Sequence, residues 1–147
     1  EKLCADAARA GADGFLIVDM PYEESAEVRL FMKKHDLALI PLIAPTTPPA
    51  RAAMILRDAK GFVYYIMVTG VTGMRDGETA GDMEGNLKAL RASTNLPLAV
   101  GFGVSNGAQA RAAAECADAV VVGSALVQAA QEGRLADKVR EIRAALG

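Results

Sequence analysis

Tryptophan is absent from these 147 residues, histidine occurs once and cysteine twice, and aromatic side chains make up 5%. Cys4 and Cys116 stand far apart with no CxxC and no Cys/His cluster, so neither the spacing of a metal site nor a disulfide framework is present. Both fall within predicted helices and read as reduced, half-buried thiols. An excess of one charge is also lacking. Lys and Arg number 16 against 18 Asp and Glu, mixed along the chain, for a formal charge of −2. Without a basic stripe to neutralise phosphates, nucleic acid and anionic membrane are poor partners. No run approaches the ~18 uninterrupted apolar residues of a membrane span, and the acidic, amphipathic N-terminus is not a secretory signal, so a cytoplasmic protein is expected.

What the chain does have is apolar content, 52% hydrophobic against 23% charged, enough for one substantial core. No composition shift marks a boundary, and residues 1–147 are read as a single α/β unit. Five apolar runs, Phe15 to Asp19, Ala38 to Ile43, Phe62 to Met67, Leu98 to Val100 and Ala119 to Val122, predict strands. Their near-continuous hydrophobicity requires burial on both faces and hence a parallel sheet. Helical patterns lie between and around them: Lys2 to Ala10, Glu24 to His35, Pro49 to Asp58, Met83 to Arg91, Ala108 to Cys116, Ala125 to Ala130 and Leu135 to Leu146. Ser25, Pro49 and Gly11 supply start and stop signals. Because the chain opens on Glu1 inside a helical pattern, it reads as a segment of a longer polypeptide.

Alternating parallel strands fit either a closed (β/α)8 barrel or an open flavodoxin-like sheet. The glycines decide between them. Gly70 and Gly73, Gly101 and Gly103, and Gly123 end the last three strands, and barrels frequently bind phosphate after their last two strands with the N-terminus of a short extra helix. Gly103, Gly123 and Ser124 can offer backbone N–H groups with no Cβ in the way, and Ala125 to Ala130 would be the extra helix. Tight turns and close strand-to-helix packing would use the same glycines. The expected fold is therefore a (β/α)8 barrel of which this chain supplies about the last five strands. The connection from Val68 to Asp82, far longer than the ~2–6 residues usual for a βα loop, is expected to be a functional lid.

Taken in order, Phe15-Leu-Ile-Val-Asp-Met-Pro-Tyr-Glu-Glu-Ser25, Gly61-Phe-Val-Tyr-Tyr65, Thr69-Gly-Val-Thr-Gly73 with Arg75, Gly101-Phe-Gly-Val-Ser105 and Val122-Gly-Ser-Ala125 resemble the second half of tryptophan synthase α subunits. The resemblance spans essentially the whole chain. It implies a carbon–carbon lyase of tryptophan biosynthesis that cleaves indole-3-glycerol phosphate to indole and glyceraldehyde 3-phosphate without a cofactor. Indole would pass to a pyridoxal-phosphate-bearing β subunit in an α2β2 complex. By the same resemblance Gly73, Gly103, Gly123 and Ser124 match phosphate contacts and Phe102 contributes an amide. Tyr64 matches the tyrosine lining the indole pocket, and Thr72 the threonine of a closing loop that excludes water from the developing charge.

Two departures stand out. Met67-Val68 replaces the Ser-Arg or Ser-Val of many relatives, and the acidic strand-2 segment that supplies the family's general acid has no counterpart here. Protonating indole requires a carboxylic acid, so the 147 residues alone are expected to be inactive. Among local acids, Asp19 is expected at a strand end, where it would orient a loop or meet a partner. Glu23 and Glu24 would favour a helix N-terminus, and Asp76, Glu78 and Asp82 would be solvated. Tyr65 is expected between sheet and helix, and His35 against a helix C-terminus. Two other functions remain open: a non-catalytic phosphate-ester binding module, and another phosphate-binding biosynthetic barrel. A partial barrel would expose unpaired edges and should self-associate.

Overall fold

A computed structural model describes residues 1–66, 80–101 and 103–147. The elements run α1 (Lys2–Arg9), β1 (Gly14–Phe15), a 3-10 turn (Tyr22–Ser25), α2 (Ala26–Lys34), β2 (Ala38–Leu39), β3 (Leu42–Ile43), α3 (Pro49–Leu56) and β4 (Val63–Ile66). They continue through α4 (Ala80–Arg91), β5 (Leu98–Gly101), α5 (Gly107–Ala114), β6 (Ala119–Val121), α6 (Ser124–Gln131) and α7 (Leu135–Leu146). All pairings are parallel, in the orders β1-β2 and β3-β4-β5-β6. The strands follow one another in sequence order with no switch point. A flavodoxin-like sheet would reverse its order, so this is an arc of a barrel wall.

The run Ala38 to Ile43, predicted as one strand, is divided into β2 and β3. Pro41, between them, has no N–H to give to a ladder. The segment nevertheless joins the two ladders: Ala38 and Ile40 donate to Asp13 and Phe15 on one side, and the Pro41 carbonyl accepts from Tyr64 on the other. The first strand is also shorter than predicted. It ends at Phe15, and Val18 and Asp19 lie in a turn, so Asp19 is not a strand-end carboxylate.

Alternate strand residues divide between two faces. Val63, Tyr65, Leu98 and Val100 point to the helical layer and are sealed there, with Val63, Leu98 and Val100 at 0% exposure and Tyr65 at 1%. Ala52 and Leu56 of α3, Met83, Leu87 and Leu90 of α4 and Ala113 of α5 complete that core. Each such aliphatic side chain contributes ~1.5–3 kcal/mol by leaving water. A smaller cluster of Cys4, Met32 and Leu37, with Phe15 and Leu39 packed on it, closes α1 and α2 over β1 and β2. Cys4 is buried and Cys116 half-buried, and both are free.

Helix ends explain the sharp turns back to the sheet. Gly11, at φ +86, donates to Ala8 while Ala12 donates to Ala7. Asp36, at φ 52, donates to Lys33 while Leu37 donates to Met32. Gly133, at φ +70, donates to Ala130 while Arg134 donates to Ala129. All three are Schellman closures, in which a left-handed residue lets two N–H groups satisfy the last carbonyls of the helix. Pro49 occupies the first turn of α3, as predicted. Ser25 stands at the start of α2 but caps nothing: it is 1% exposed and its hydroxyl donates to the Tyr22 carbonyl at 2.5 Å.

At the bottom of the sheet the Asp118 carboxylate accepts from the Leu98 N–H at 2.7 Å and from Arg91 at 2.7 Å. It thereby ties β5, β6 and α4 together. These bonds, the backbone one foremost, hold its pKa below the ordinary aspartate range. A depressed folded pKa stabilises above the unfolded value and ceases to do so as pH falls through the folded one. Asp118→Ala should therefore cost about 1 kcal/mol near neutral pH. The gap to the parent should narrow once pH falls below ~4, as read by urea unfolding at pH 7 and pH 3.5.

Candidate functional site

The face of the sheet opposite the helices carries Leu42, Tyr64, Ile66, Ala99 and Gly101, the pleat partners of the core residues. Tyr64 is half-buried there, and its ring leans over the next strand onto Gly101. A Cβ built at Gly101 would lie 2.1 Å from the Tyr64 hydroxyl and 2.5 Å from Cζ. Glycine at 101 is thus what gives the phenol its place at the top of the sheet. Tyr65, its neighbour, packs between sheet and helices as predicted.

Beyond β5 the chain turns through Gly103, at φ +80, a left-handed conformation that an L side chain resists. Val104 then drops into a buried cluster with Ala110 and Ile142, and Ser105 and Asn106 lead into α5. The start of α5 is occupied by protein groups. Asn106 accepts from the Gln109 N–H at 3.0 Å, and the Gln109 side chain accepts from the Ser105 N–H at 2.8 Å and its hydroxyl at 2.9 Å. Glu141 of α7 accepts from the Gly107 N–H at 3.2 Å. This is a capping-box logic in which both partners serve orphan donors.

The start of α6 differs. Gly123 is its N-cap, at φ −109 and ψ −88, and has no side-chain capping bond. The Gly123 carbonyl accepts from Leu126 and Val127, whereas Ser124 and Ala125 open the helix with their amides directed to its free end. A Cβ at Gly123 would meet nothing within 4 Å. Two helix N-termini thus follow the strand ends, one self-capped and one with no side-chain capping bond among the described residues, and each carries the positive end of a helix dipole.

Of the predicted site residues, Gly103, Gly123 and Ser124 lie beyond the C-terminal ends of β5 and β6, whereas Tyr64 is the second residue of β4 and reaches toward that end only through its ring over Gly101. Thr72, Gly73 and Phe102 lie outside the described residues, as does most of the Val68 to Asp82 connection and the Met67-Val68 departure. Its last residues do not form a loop: α4 begins at Ala80 and takes in Asp82. The Asp-x-Pro-x-Glu-Glu segment is bound to the fold around it. Arg51 makes a two-pronged pair with Glu23 at 2.6 and 3.0 Å, and Arg29 stacks over the Tyr22 ring at 4.1 Å. The Arg51 hydrogen bond pulls the Glu23 carboxyl below its ordinary range, which disfavours it as a proton donor. His35 occupies the C-cap position of α2, where its backbone N–H bonds the Lys33 and Met32 carbonyls.

Sequence reasoning passed over Gly101 as a spacer for Tyr64, and over Gln109 and Glu141. The Asn106/Gln109 spacing was a readable capping signal; the other two depend on contacts between distant segments. Among the described residues no cluster of His, Cys, Asp and Glu could hold a metal, and no helix is long and apolar enough to cross a membrane. A cavity of about 1020 Å³ lies between α2 and α3 and includes none of Tyr64, Gly103, Gly123 or Ser124. The strand ends, not that cavity, are taken as the candidate site, because in barrels of parallel strands ligands sit at the C-terminal ends of the strands.

Comparison with known proteins gives a consistent match. The family model described as tryptophan synthase alpha chain matches residues 1–146. The tryptophan synthase alpha chain of Geobacter sulfurreducens is 45% identical over 142 residues, covering 97% of this chain and 53% of that one. That of Gluconobacter oxydans is 46% identical over 127 residues, covering 86% and 47%. The chain thus spans about half the length of the curated relatives it matches. Among solved structures, tryptophan synthase subunit alpha from Campylobacter jejuni superposes with a TM-score of 0.87 at 28% identity, covering 96% of this chain and 58% of that one. The aminoacrylate-bound form of tryptophan synthase from M. tuberculosis superposes at 0.86 with 30% identity, covering 99% and 55%.

Gly101→Ala should drive the Tyr64 ring from its seat, since the new methyl would overlap the hydroxyl. A crystal structure of the variant should show the phenol rotated away, with a stability loss of about 1–3 kcal/mol from overpacking. An unmoved ring would refute the spacer role.

Proposed function

The chain belongs to the tryptophan synthase alpha chain family, and on that premise we propose that it forms the phosphate- and indole-binding part of a lyase acting on indole-3-glycerol phosphate. The observation that carries this is the start of α6, which has no side-chain capping bond among the described residues, following β6, with the left-handed turn at Gly103 following the neighbouring strand β5. A phosphate needs several converging N–H donors and a positive potential, and this end of the sheet offers both. Lys and Arg do not adjoin Gly103 or Gly123 in sequence, so amides and the dipole do the neutralising.

Within that proposal Gly103, Gly123 and Ser124, together with Gly73 and the Phe102 amide, hold the phosphate. Tyr64, seated over Gly101, lines the pocket for the indole ring, where an aromatic edge and a hydroxyl suit a flat heterocycle. Thr72 belongs to the segment that closes over bound substrate and keeps water from the charge that develops as the carbon–carbon bond breaks. The products are indole and glyceraldehyde 3-phosphate. Proton transfer to the indole ring is assigned to carboxylic acids outside these 147 residues, since Glu23 is committed to Arg51. The chain itself needs no cofactor for this step. Its partner is the β subunit, which carries pyridoxal phosphate and consumes indole.

Ser124→Asp tests the phosphate assignment in the full-length protein. An aspartate at the first position of α6 places its own carboxylate where the phosphate would bind, and favours the helix by interaction with the dipole. Affinity for glycerol 3-phosphate by titration calorimetry should fall by about tenfold or more, equivalent to ~1.4 kcal/mol, while thermal stability holds. Unchanged affinity would remove the anion from α6.

A further inference from the structure

The two helix ends that flank the candidate phosphate site are held by a common third element. Helix α7 packs along α5 and also against α6, to which the Schellman closure at Gly133 joins it directly. Its contact with α5 is unusually close at the end nearest the site. A Cβ on Gly107 would lie 2.9 Å from the Ala145 Cβ and 3.4 Å from the Glu141 carbonyl, so the two helices meet there with no room for a side chain. In the same place Glu141 Oε1 accepts from the Gly107 N–H at 3.2 Å, and its Oε2 accepts from Lys138 at 2.9 Å. Arg111 adds a bond to the Ala145 carbonyl at 3.3 Å.

From this surface the contact runs back to the strand ends. Val104, which directly follows Gly103, is 4% exposed and shares one cluster with Ala110 of α5 and Ile142 of α7. Val122, which directly precedes Gly123, and Leu126 of α6 pack on the same cluster. The residues next to both glycines therefore rest on a single apolar knot to which α7 contributes the buried Ile142 and the partly buried Leu146. Close-packed groups of this kind transmit displacement, because there is no void to absorb it.

Resting on the phosphate reading, we propose that Glu141 is a positioning residue for the phosphate cradle: by pinning the Gly107 amide it fixes the start of α5, the turn at Gly103 and the spacing of that turn from the start of α6. Glu141 does not touch the ligand. Its charge is balanced by Lys138, so what it supplies is placement, and it also removes the Gly107 amide from competition for an anion. The phosphate is thereby directed to α6 and not to α5.

The experiment uses the full-length protein and two probes, glycerol 3-phosphate and indole, titrated separately, with a thermal melt of each variant. Glu141→Ala should weaken glycerol 3-phosphate by about three- to tenfold while indole affinity stays unchanged. Glu141→Gln keeps an acceptor for the Gly107 N–H and should bind glycerol 3-phosphate within about twofold of the parent. Gly107→Ala, which pushes α7 away, should reproduce the loss, and Gly107→Ala with Ala145→Gly should restore binding. Glu141→Ala binding like the parent would overturn the proposal, as would equal weakening of both probes in step with melting temperature. A parent that binds indole but not glycerol 3-phosphate would instead remove the phosphate reading beneath it.

Discussion

Strand β5 is the constraint on which the rest depends. Its four residues are all buried, and they alternate in size as well as direction: Leu98 and Val100 face the helices, Ala99 and Gly101 the opposite side. The large pair anchors α4 and α5 to the sheet through contacts that exclude water entirely. The small pair leaves space, and Tyr64 takes it. Reversing that order would close the pocket and hollow the core at once. The backbone of β5 is secured as well, with the Leu98 N–H held by Asp118 and every residue in register with β4.

The helices that follow β5 and β6 show how similar sequence signals come to different ends. Both open just beyond a glycine-bearing strand end. Asn106 and Gln109 complete one of them from within, and α7 reaches across to finish the work through Glu141. The other opens on Gly123 with no side-chain capping bond. A dipole end left uncapped where chain and solvent meet costs stability, and it is available to a ligand for the same reason.

Much of this was legible in the sequence. Continuous apolar runs announced parallel strands, and the limits of α6 and α7 followed from Ser124, Gly133 and the helical spacing after it. The order of glycine-ended strands pointed to a barrel. What could not be read were features set by partners remote in sequence. Pro41 divides a run that is uniformly apolar, and nothing within that run records which neighbour each half joins. The first strand stops at Phe15 even though Leu16, Ile17 and Val18 continue the pattern, since those residues find no ladder among the described strands. Val18 in consequence is 77% exposed. The Tyr64 and Gly101 contact, and that of Glu141 with Gly107 across 34 positions, follow from tertiary packing alone.

The pleat itself has a historical consequence. Because odd and even positions on β4 and β5 serve opposite faces, the residues that hold the helical core and those on the opposite face of the sheet are drawn from separate sets, although they interleave one by one along the same strand. Selection can therefore rewrite Leu42, Tyr64 or Ile66 while the packing around Val63, Tyr65 and Val100 is inherited intact. Lineages are free to diverge in what they bind without first discovering a new way to fold. The exception is Gly101, where a change would displace the Tyr64 ring and disturb the strand together.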